Sequence, residues 1–148
     1  PIKACLEVSD DMYRESIRRN QSRVNDGIAT FKLYDGEALP FENAMFNAIM
    51  SVNTVYFWND PIATCRELLR VLKPGGYISI AFAQKIFMEQ LPFTKEKFKL
   101  VDTADVNNIL ESAGLQIVRT IDEVEKVKSK AGELVDRPYT VVVATNVS

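Results

Sequence analysis

Between residues 46 and 83 the sequence runs from an apolar strand through an amphipathic helix to a second apolar strand, and no other feature constrains the fold as strongly. Phe46 to Val52 (FNAIMSV) and Tyr77 to Ala83 (YISIAFA) are near-continuous apolar runs, the pattern of buried strands in a parallel sheet. Between them, Asp60-Pro61 supplies a helix N-cap and a proline at the first helical position. Ile62, Cys65, Leu68, Leu69 and Leu72 then recur at helical spacing on one face. The helix is expected to stop at Lys73-Pro74-Gly75-Gly76, where the two glycines supply a tight, left-handed turn into the next strand. Strand, crossover helix and strand together define an α/β chain with a parallel sheet.

The same alternation continues on both sides. Ile2 to Val8 reads as a strand, and Ser9 followed by Asp10 and Asp11 reads as a helix N-cap with acidic residues in the first turn. That helix is expected to run to about Val24, with Met12, Ile17 and Val24 toward the core and Arg14, Arg18, Arg19 and Arg23 outside. Asp26-Gly27 closes it before a strand from Ile28 to Tyr34 and a turn-rich loop from Asp35 to Asn43. Beyond Ala83, Gln84 to Leu100 is less regular, a helical turn plus a mobile segment that is the candidate lid. Thr103 is expected to cap a helix with Val106, Ile109 and Leu110 inward and Gly114 just past its end. Leu115 to Val127 and Tyr139 to Thr145 read as an antiparallel pair at the sheet edge. The expectation is a Rossmann-like, doubly wound, mostly parallel sheet with an antiparallel C-terminal edge hairpin, incomplete at the N-terminus and forming one domain over 1–148.

Composition narrows the chemistry. Histidine is absent from the 148 residues, which removes Ser-His-Asp hydrolysis, imidazole base catalysis and the commonest zinc sites. No metal site is expected. The 18 basic and 20 acidic residues are mixed along the chain, giving a net charge of −2, so no basic face attracts nucleic acid. No apolar run approaches the ~20 residues of a bilayer span, and no secretory signal opens the chain. Cys5 and Cys65 form no CxxC pair, and a reducing cytoplasm is the expected location.

Three segments, in order and spacing, resemble the class I S-adenosylmethionine-dependent methyltransferases, in particular the methyltransferase type 11 group. The first is LEVSDDM, from Leu6 to Met12, where Glu7 stands at the family's acidic position. The resemblance implies that its carboxylate accepts from two adjacent ribose hydroxyls; taken alone, Glu7 reads as a solvated strand-end residue. The second is DGEALPFENAMFNAIMSVNTVYFW, from Asp35 to Trp58. Here the resemblance implies that Asp35 accepts from the adenine amino group, that Gly36 and Glu37 let the backbone approach the base, and that Leu39-Pro40-Phe41 turns the chain back. It further implies that Asn53 lies under the methionine part of the cofactor, with Tyr56, Phe57 and Trp58 lining the methyl-acceptor side. Core packing is the other reading of Phe57, and Trp58, beside Asn59-Asp60, is expected to resist full burial. The third is ELLRVLKPGGYISIAF, from Glu67 to Phe82, whose role is structural, with Lys73 solvated.

The function implied is methyl transfer to a small-molecule acceptor. Displacement at a sulfonium methyl has an activated leaving group, so positioning supplies most of the acceleration. For an acceptor that loses a proton, Glu89, Tyr56 and Tyr13 are candidates, each reading first as a solvated or packed side chain. No catalytic residue is assigned.

One departure from the family pattern bears on function. The family's first strand and glycine-rich cofactor loop have no counterpart, since none of Gly27, Gly36, Gly75, Gly76, Gly114 and Gly132 forms a GxG. A micromolar site corresponds to about −8 kcal/mol. Losing two or three charge-assisted hydrogen bonds, each worth ~1.5–3 kcal/mol, leaves it near millimolar or weaker. Binding of S-adenosylmethionine is therefore expected to be weak or absent. A missing central strand also exposes two sheet edges, so a homodimer is expected, with exchanged elements as one form. The alternative is a non-catalytic, dimerising or regulatory protein with a truncated methyltransferase fold. A natural truncation and a fragment of a longer enzyme both fit the start at Pro1.

Overall fold

The computed structural model describes residues 3–7, 10–27, 29–90, 99–129 and 131–147. They form two compact units, Pro1–Phe41 and Glu42–Ser148.

The first unit is a β-α-β element: β1 (Lys3–Glu7), α1 (Asp10–Arg19), α2 (Gln21–Asn25) and β2 (Ala29–Leu33). β1 and β2 are parallel, with Lys3 opposite Ala29 and Glu7 opposite Leu33. Asp10 and Asp11 in the first turn of α1, and Arg18 and Arg19 in its last, oppose the helix dipole at both ends. Glu15 accepts from Arg18 Nε at 2.9 Å and Arg19 Nε at 2.8 Å, and these bonds draw its pKa down to about 2. The single helix expected to reach Val24 is instead interrupted at Asn20. The Asn20 side-chain amide donates to the Ser16 carbonyl at 2.9 Å and competes with the backbone for it, which is how asparagine breaks helices. Ile17 and Val24 are half-buried, whereas Met12, expected in the core, is 55% exposed.

The second unit contains β3 (Phe46–Val52), a short 3-10 turn (Val55–Phe57), α3 (Pro61–Val71), β4 (Leu72–Ala83), α4 (Lys85–Met88), α5 (Thr103–Ser112), β5 (Gln116–Lys128) and β6 (Leu134–Thr145). Its sheet has the order β3-β4-β6-β5. β3 and β4 are parallel, and β6 runs antiparallel to both β4 and β5. The expected hairpin is present, but β6 begins at Leu134 rather than Tyr139. The β4 ladder ends at Ala83 opposite Tyr139, while β5 and β6 continue pairing to Lys128 opposite Leu134, so the hairpin extends past the sheet as a two-stranded arm.

One face of this sheet holds the core. Ile78, Ile80 and Phe82 alternate along β4, beside Val142 and Ala144 of β6, all at most 1% exposed. Cys65, Leu68 and Val71 of α3 and Val106 and Leu110 of α5 are buried with them. Each such aliphatic or aromatic side chain contributes ~1.5–3 kcal/mol by leaving water. β3 is less enclosed than its composition suggested: Met50 is 74% and Val52 52% exposed. It pairs only with β4 among the described residues, as β1 does only with β2.

Local chemistry sets the helix ends. Asp60 accepts from the Ala63 N–H at 3.1 Å, with Pro61 first in α3. α5 starts one residue earlier than its expected cap implied. Asp102 is the N-cap in a reciprocal box, accepting from Asp105 N at 2.8 Å while Asp105 Oδ2 accepts from Asp102 N at 3.0 Å. Asp accepts without having to donate, which suits it to this position better than Thr103. Gly114, at φ 101°, closes the helix. Of the candidate lid, α4 is the expected helical turn, and 91–98 lie outside the described residues.

The two glycines after α3 have different reasons. Gly75 adopts φ 79°, the left-handed conformation expected of it. Gly76 is required by contact: a Cβ there would sit 2.7 Å from the Asn47 carbonyl oxygen and 2.7 Å from Leu72 Cδ1. Gly76→Ala is expected to destabilise the protein by about 1–3 kcal/mol, the usual range for overpacking, in urea unfolding; a change under about 0.5 kcal/mol would contradict this close approach.

Candidate functional site

In each unit the family-matched residues lie at the carboxyl ends of parallel strands, where open α/β sheets bind ligands. In the first unit Glu7 is the last residue of β1, level with Leu33 at the end of β2. Asp35 follows β2 in a tight turn. Its Oδ1 accepts from the Glu37 N–H at 2.8 Å and the Ala38 N–H at 3.1 Å, and these two bonds hold the carboxyl below the usual carboxylate range. Gly36 sits between them at φ 87°, a conformation a side chain would strain. Asp35, Gly36 and Glu37 thus form one structure: an ionised carboxylate with one oxygen committed to the backbone and the other able to accept from a ligand. The chain then bends at Leu39-Pro40-Phe41, where Phe41 N donates to Leu39 O at 2.8 Å, and the Lys32 ammonium lies 5.1 Å from the Phe41 ring centroid.

In the second unit Asn53 follows β3 with φ 55°, a left-handed conformation that asparagine tolerates better than most residues. Its N–H donates to Ala81 O at 2.9 Å, fixing it to β4. Tyr56 is 2% exposed. Its hydroxyl accepts from the Ala83 N–H at 2.5 Å and donates to Asn53 Oδ1 at 3.1 Å. Burial pushes the Tyr56 pKa up, opposed by the Ala83 hydrogen bond and the Arg137 charge. Ser51 and Thr54 join their hydroxyls beside Asn53.

The three aromatics separate. Phe57 is 54% exposed and packs edge-on to Tyr56, ring centroids 6.1 Å apart. Trp58, expected to resist burial, is only 9% exposed, because the 3-10 turn ends there and the chain turns to extended backbone. Near the end of the candidate lid, Lys99 bonds to this turn, its N–H donating to Tyr56 O at 3.0 Å and its ammonium to Asn59 O at 3.0 Å.

A polar cluster that sequence reasoning missed closes the carboxyl end of β4. Gln84 Nε2 donates to Thr103 Oγ1 at 2.8 Å and Thr140 Oγ1 at 2.6 Å, and Thr140 donates to Asp122 Oδ1 at 2.6 Å. Its one sequence signal is Thr140, a polar residue on the inward face of an apolar strand. Arg137 and Glu125 pair across the hairpin arm, Nε to Oε1 at 2.6 Å. Of the candidate bases, Glu89 is exposed, 4.0 Å from Lys85; Tyr13 is half-buried; and the Tyr56 hydroxyl has Asn53 Oδ1 at 3.1 Å and the Ala83 carbonyl oxygen at 3.5 Å as acceptors. Cys65 has its thiol pushed up to about 12 by burial, which leaves it no thiolate for nucleophilic chemistry. Among the described residues no group of metal-ligating side chains occurs, and no helix is long and apolar enough to cross a membrane.

This arrangement is that of the class I, S-adenosylmethionine-dependent methyltransferases. Residues 4–80 match the family model for the methyltransferase domain, and the chain belongs to that family. It is 30% identical over 122 residues to a biotin biosynthesis bifunctional protein of Teredinibacter turnerae, covering 73% of this chain and 21% of that protein. It is 29% identical over 76 residues to an O-methyltransferase of Pyrenophora dematioidea, covering 51% and 28%. The chain thus spans between about a fifth and a third of these relatives' lengths. The fold matches a solved S-adenosylmethionine-dependent methyltransferase of Aquifex aeolicus at a TM-score of 0.73 and 21% identity, covering 97% of this chain and 68% of that one.

The geometry around Tyr56 makes two expectations measurable. Tyr56→Phe leaves the buried Ala83 N–H without its acceptor and should cost about 1–3 kcal/mol in chemical unfolding. A raised folded-state pKa also means that Tyr56 stabilises the fold fully below the ordinary tyrosine value of 10.0 and loses that contribution as pH rises through the folded value. Wild type should therefore lose more stability above pH ~10 than the phenylalanine variant does; equal alkaline slopes would count against the buried hydroxyl.

Proposed function

We propose that this chain is a methyltransferase domain that takes its methyl group from S-adenosylmethionine and passes it to a small-molecule acceptor. The observation that carries the reading is the Asp35–Gly36–Glu37 turn after β2, an ionised acceptor beside a glycine whose left-handed backbone holds the turn. In this reading Glu7 takes the ribose hydroxyls and the second oxygen of Asp35 takes the adenine amino group. The Gly36 and Glu37 backbone lies against the base, and Asn53 faces the methionine end. When bound, the cofactor supplies a methyl on sulfonium sulfur with a neutral thioether as its leaving group. The chain's own residues orient that methyl and the acceptor. Of the three aromatics, Phe57 is the one exposed enough to touch an acceptor, with Tyr56 and Trp58 supporting it from behind. No observation favours the non-catalytic alternative.

The reading extends to assembly and location. Residues 1–148 act as one domain, and a second copy pairs with the edges that β1 and β3 present, giving a homodimer. Free Cys5 and Cys65 suit a reducing cytoplasm.

Calorimetric titration with S-adenosylhomocysteine tests the cofactor site. Weak, saturable binding is expected, and Asp35→Asn should abolish it. The amide keeps one oxygen for the Glu37 and Ala38 N–H groups but turns an N–H2 toward the adenine amino donor. Equal binding by variant and wild type, or no saturable binding by wild type, would reject the site. Sedimentation equilibrium at micromolar concentration should give twice the chain mass; a monomer there would reject the dimer.

A further inference from the structure

We propose that a groove at the C-terminal end of α5 binds a small organic cation, an ammonium carried on a short apolar stem. The groove is open, measures about 440 Å³ and is lined by Glu111, Gly114, Leu115, Gln116, Ile117 and Val147. That volume falls in the range that small-molecule sites occupy. It lies at the other end of the sheet from Asn53 and Tyr56. β5 starts at Gln116 opposite Thr145, and Thr145 in turn is opposite Tyr77, toward the start of β4. Asn53 and Tyr56 are bonded to Ala81 and Ala83, where β4 stops. The groove thus goes beyond the proposed methyl transfer and stands without it.

Glu111 is in the last turn of α5, which contains no basic residue. A helix C-terminus is a negative pole that favours Lys, Arg or His and disfavours a carboxylate. The chain follows that preference elsewhere: α1 ends in Arg18 and Arg19, and α3 has Arg70 in its last turn. Glu111 breaks it, is exposed, and forms no ion pair among the described residues. The N–H groups of Ala113, Gly114 and Leu115 turn back onto the carbonyls of Ile109, Leu110 and Glu111. That leaves the Ser112 and Ala113 carbonyls, at the same pole, without a described donor. Leu115, which is buried, half-buried Ile117 and largely exposed Val147 supply the apolar part of the lining. A molecule that fits this combination is positively charged and donating at one end and apolar along the rest. An anion meets both Glu111 and the helix pole as like charge, and a neutral apolar molecule leaves the carboxylate uncompensated.

The test uses the 15N-labelled chain and n-butylammonium chloride, with methylammonium, butyrate and sodium chloride compared at constant ionic strength. Butylammonium should move the backbone amides of Gly114, Leu115, Gln116 and Ile117 in a saturable way, and butyrate and sodium should not. Methylammonium, which has the charge without the stem, should bind at least fivefold more weakly. Glu111→Gln should weaken the butylammonium response at least fivefold and at the same time raise the urea midpoint, because it removes a charge from the unfavourable end of a helix. A lowered midpoint would mean that Glu111 serves the fold and not a ligand. Val147→Ser, at an exposed position, should reduce butylammonium binding and leave methylammonium binding unchanged. Butyrate or sodium acting like butylammonium, equal shifts beside exposed carboxylates elsewhere such as Glu123, an unchanged response in Glu111→Gln, or no response at all each overturns the proposal.

Discussion

The second unit depends on β4 being paired on both sides while one of its faces is sealed. It is parallel to β3 and antiparallel to β6, so its backbone groups are satisfied by neighbours instead of water. That arrangement allows Ile78, Ile80 and Phe82 to be almost wholly buried. The strand is also held at both ends. Toward its start, just before the regular pairing with β3 resumes at Tyr77, Gly76 lets the Asn47 carbonyl approach more closely than any side chain would allow. At its end, the Ala83 N–H is taken by Tyr56, and Gln84 is tied to α5 and β6 through Thr103 and Thr140. Within this unit, Asn53 and Tyr56 are bonded to Ala81 and Ala83 of this strand and take their positions from it.

The strand ends of the two units are shaped by different bonds. Asp35 is an acceptor kept ionised by the Glu37 and Ala38 N–H groups, whereas the Asn53 N–H is bonded to Ala81 O and its Oδ1 meets the buried Tyr56 hydroxyl. In both cases a left-handed backbone conformation, at Gly36 or at Asn53, sets the geometry.

Much of the architecture was legible because it follows from periodicity and punctuation. The limits of β3, the Asp60-Pro61 start of α3 and the Gly114 end of α5 came directly from residue types whose backbone preferences are strong. Two of the errors fall where a side chain had two options, while others are strands that begin earlier than their apolar runs, β4 at Leu72 and β6 at Leu134. Asn20 could have stayed in a helix or taken the Ser16 carbonyl, and it took the carbonyl. Asp102 and Thr103 could each cap α5, and the reciprocal bond with Asp105 decided between them. The position of the candidate residues was readable from the three matched segments, but their state was not. That Tyr56 and Trp58 are buried while Phe57 between them is exposed follows from a 3-10 turn with no sequence signature of its own. The Tyr56 bond to Ala83 spans 27 residues, beyond the reach of any local pattern.

The two rims of the four-stranded sheet differ in kind. β5 bears Arg119, Asp122, Glu123, Glu125, Lys126 and Lys128, the dense charge that discourages an outer strand from recruiting another chain. β3, the opposite rim, carries no charged residue from Phe46 to Val52 and shows Met50 and Val52 largely to solvent. The charged rim resists pairing with another chain and the uncharged one does not. If β3 is the edge that a second copy pairs with, a charge introduced at Met50 would act on assembly while leaving the charged rim as it is.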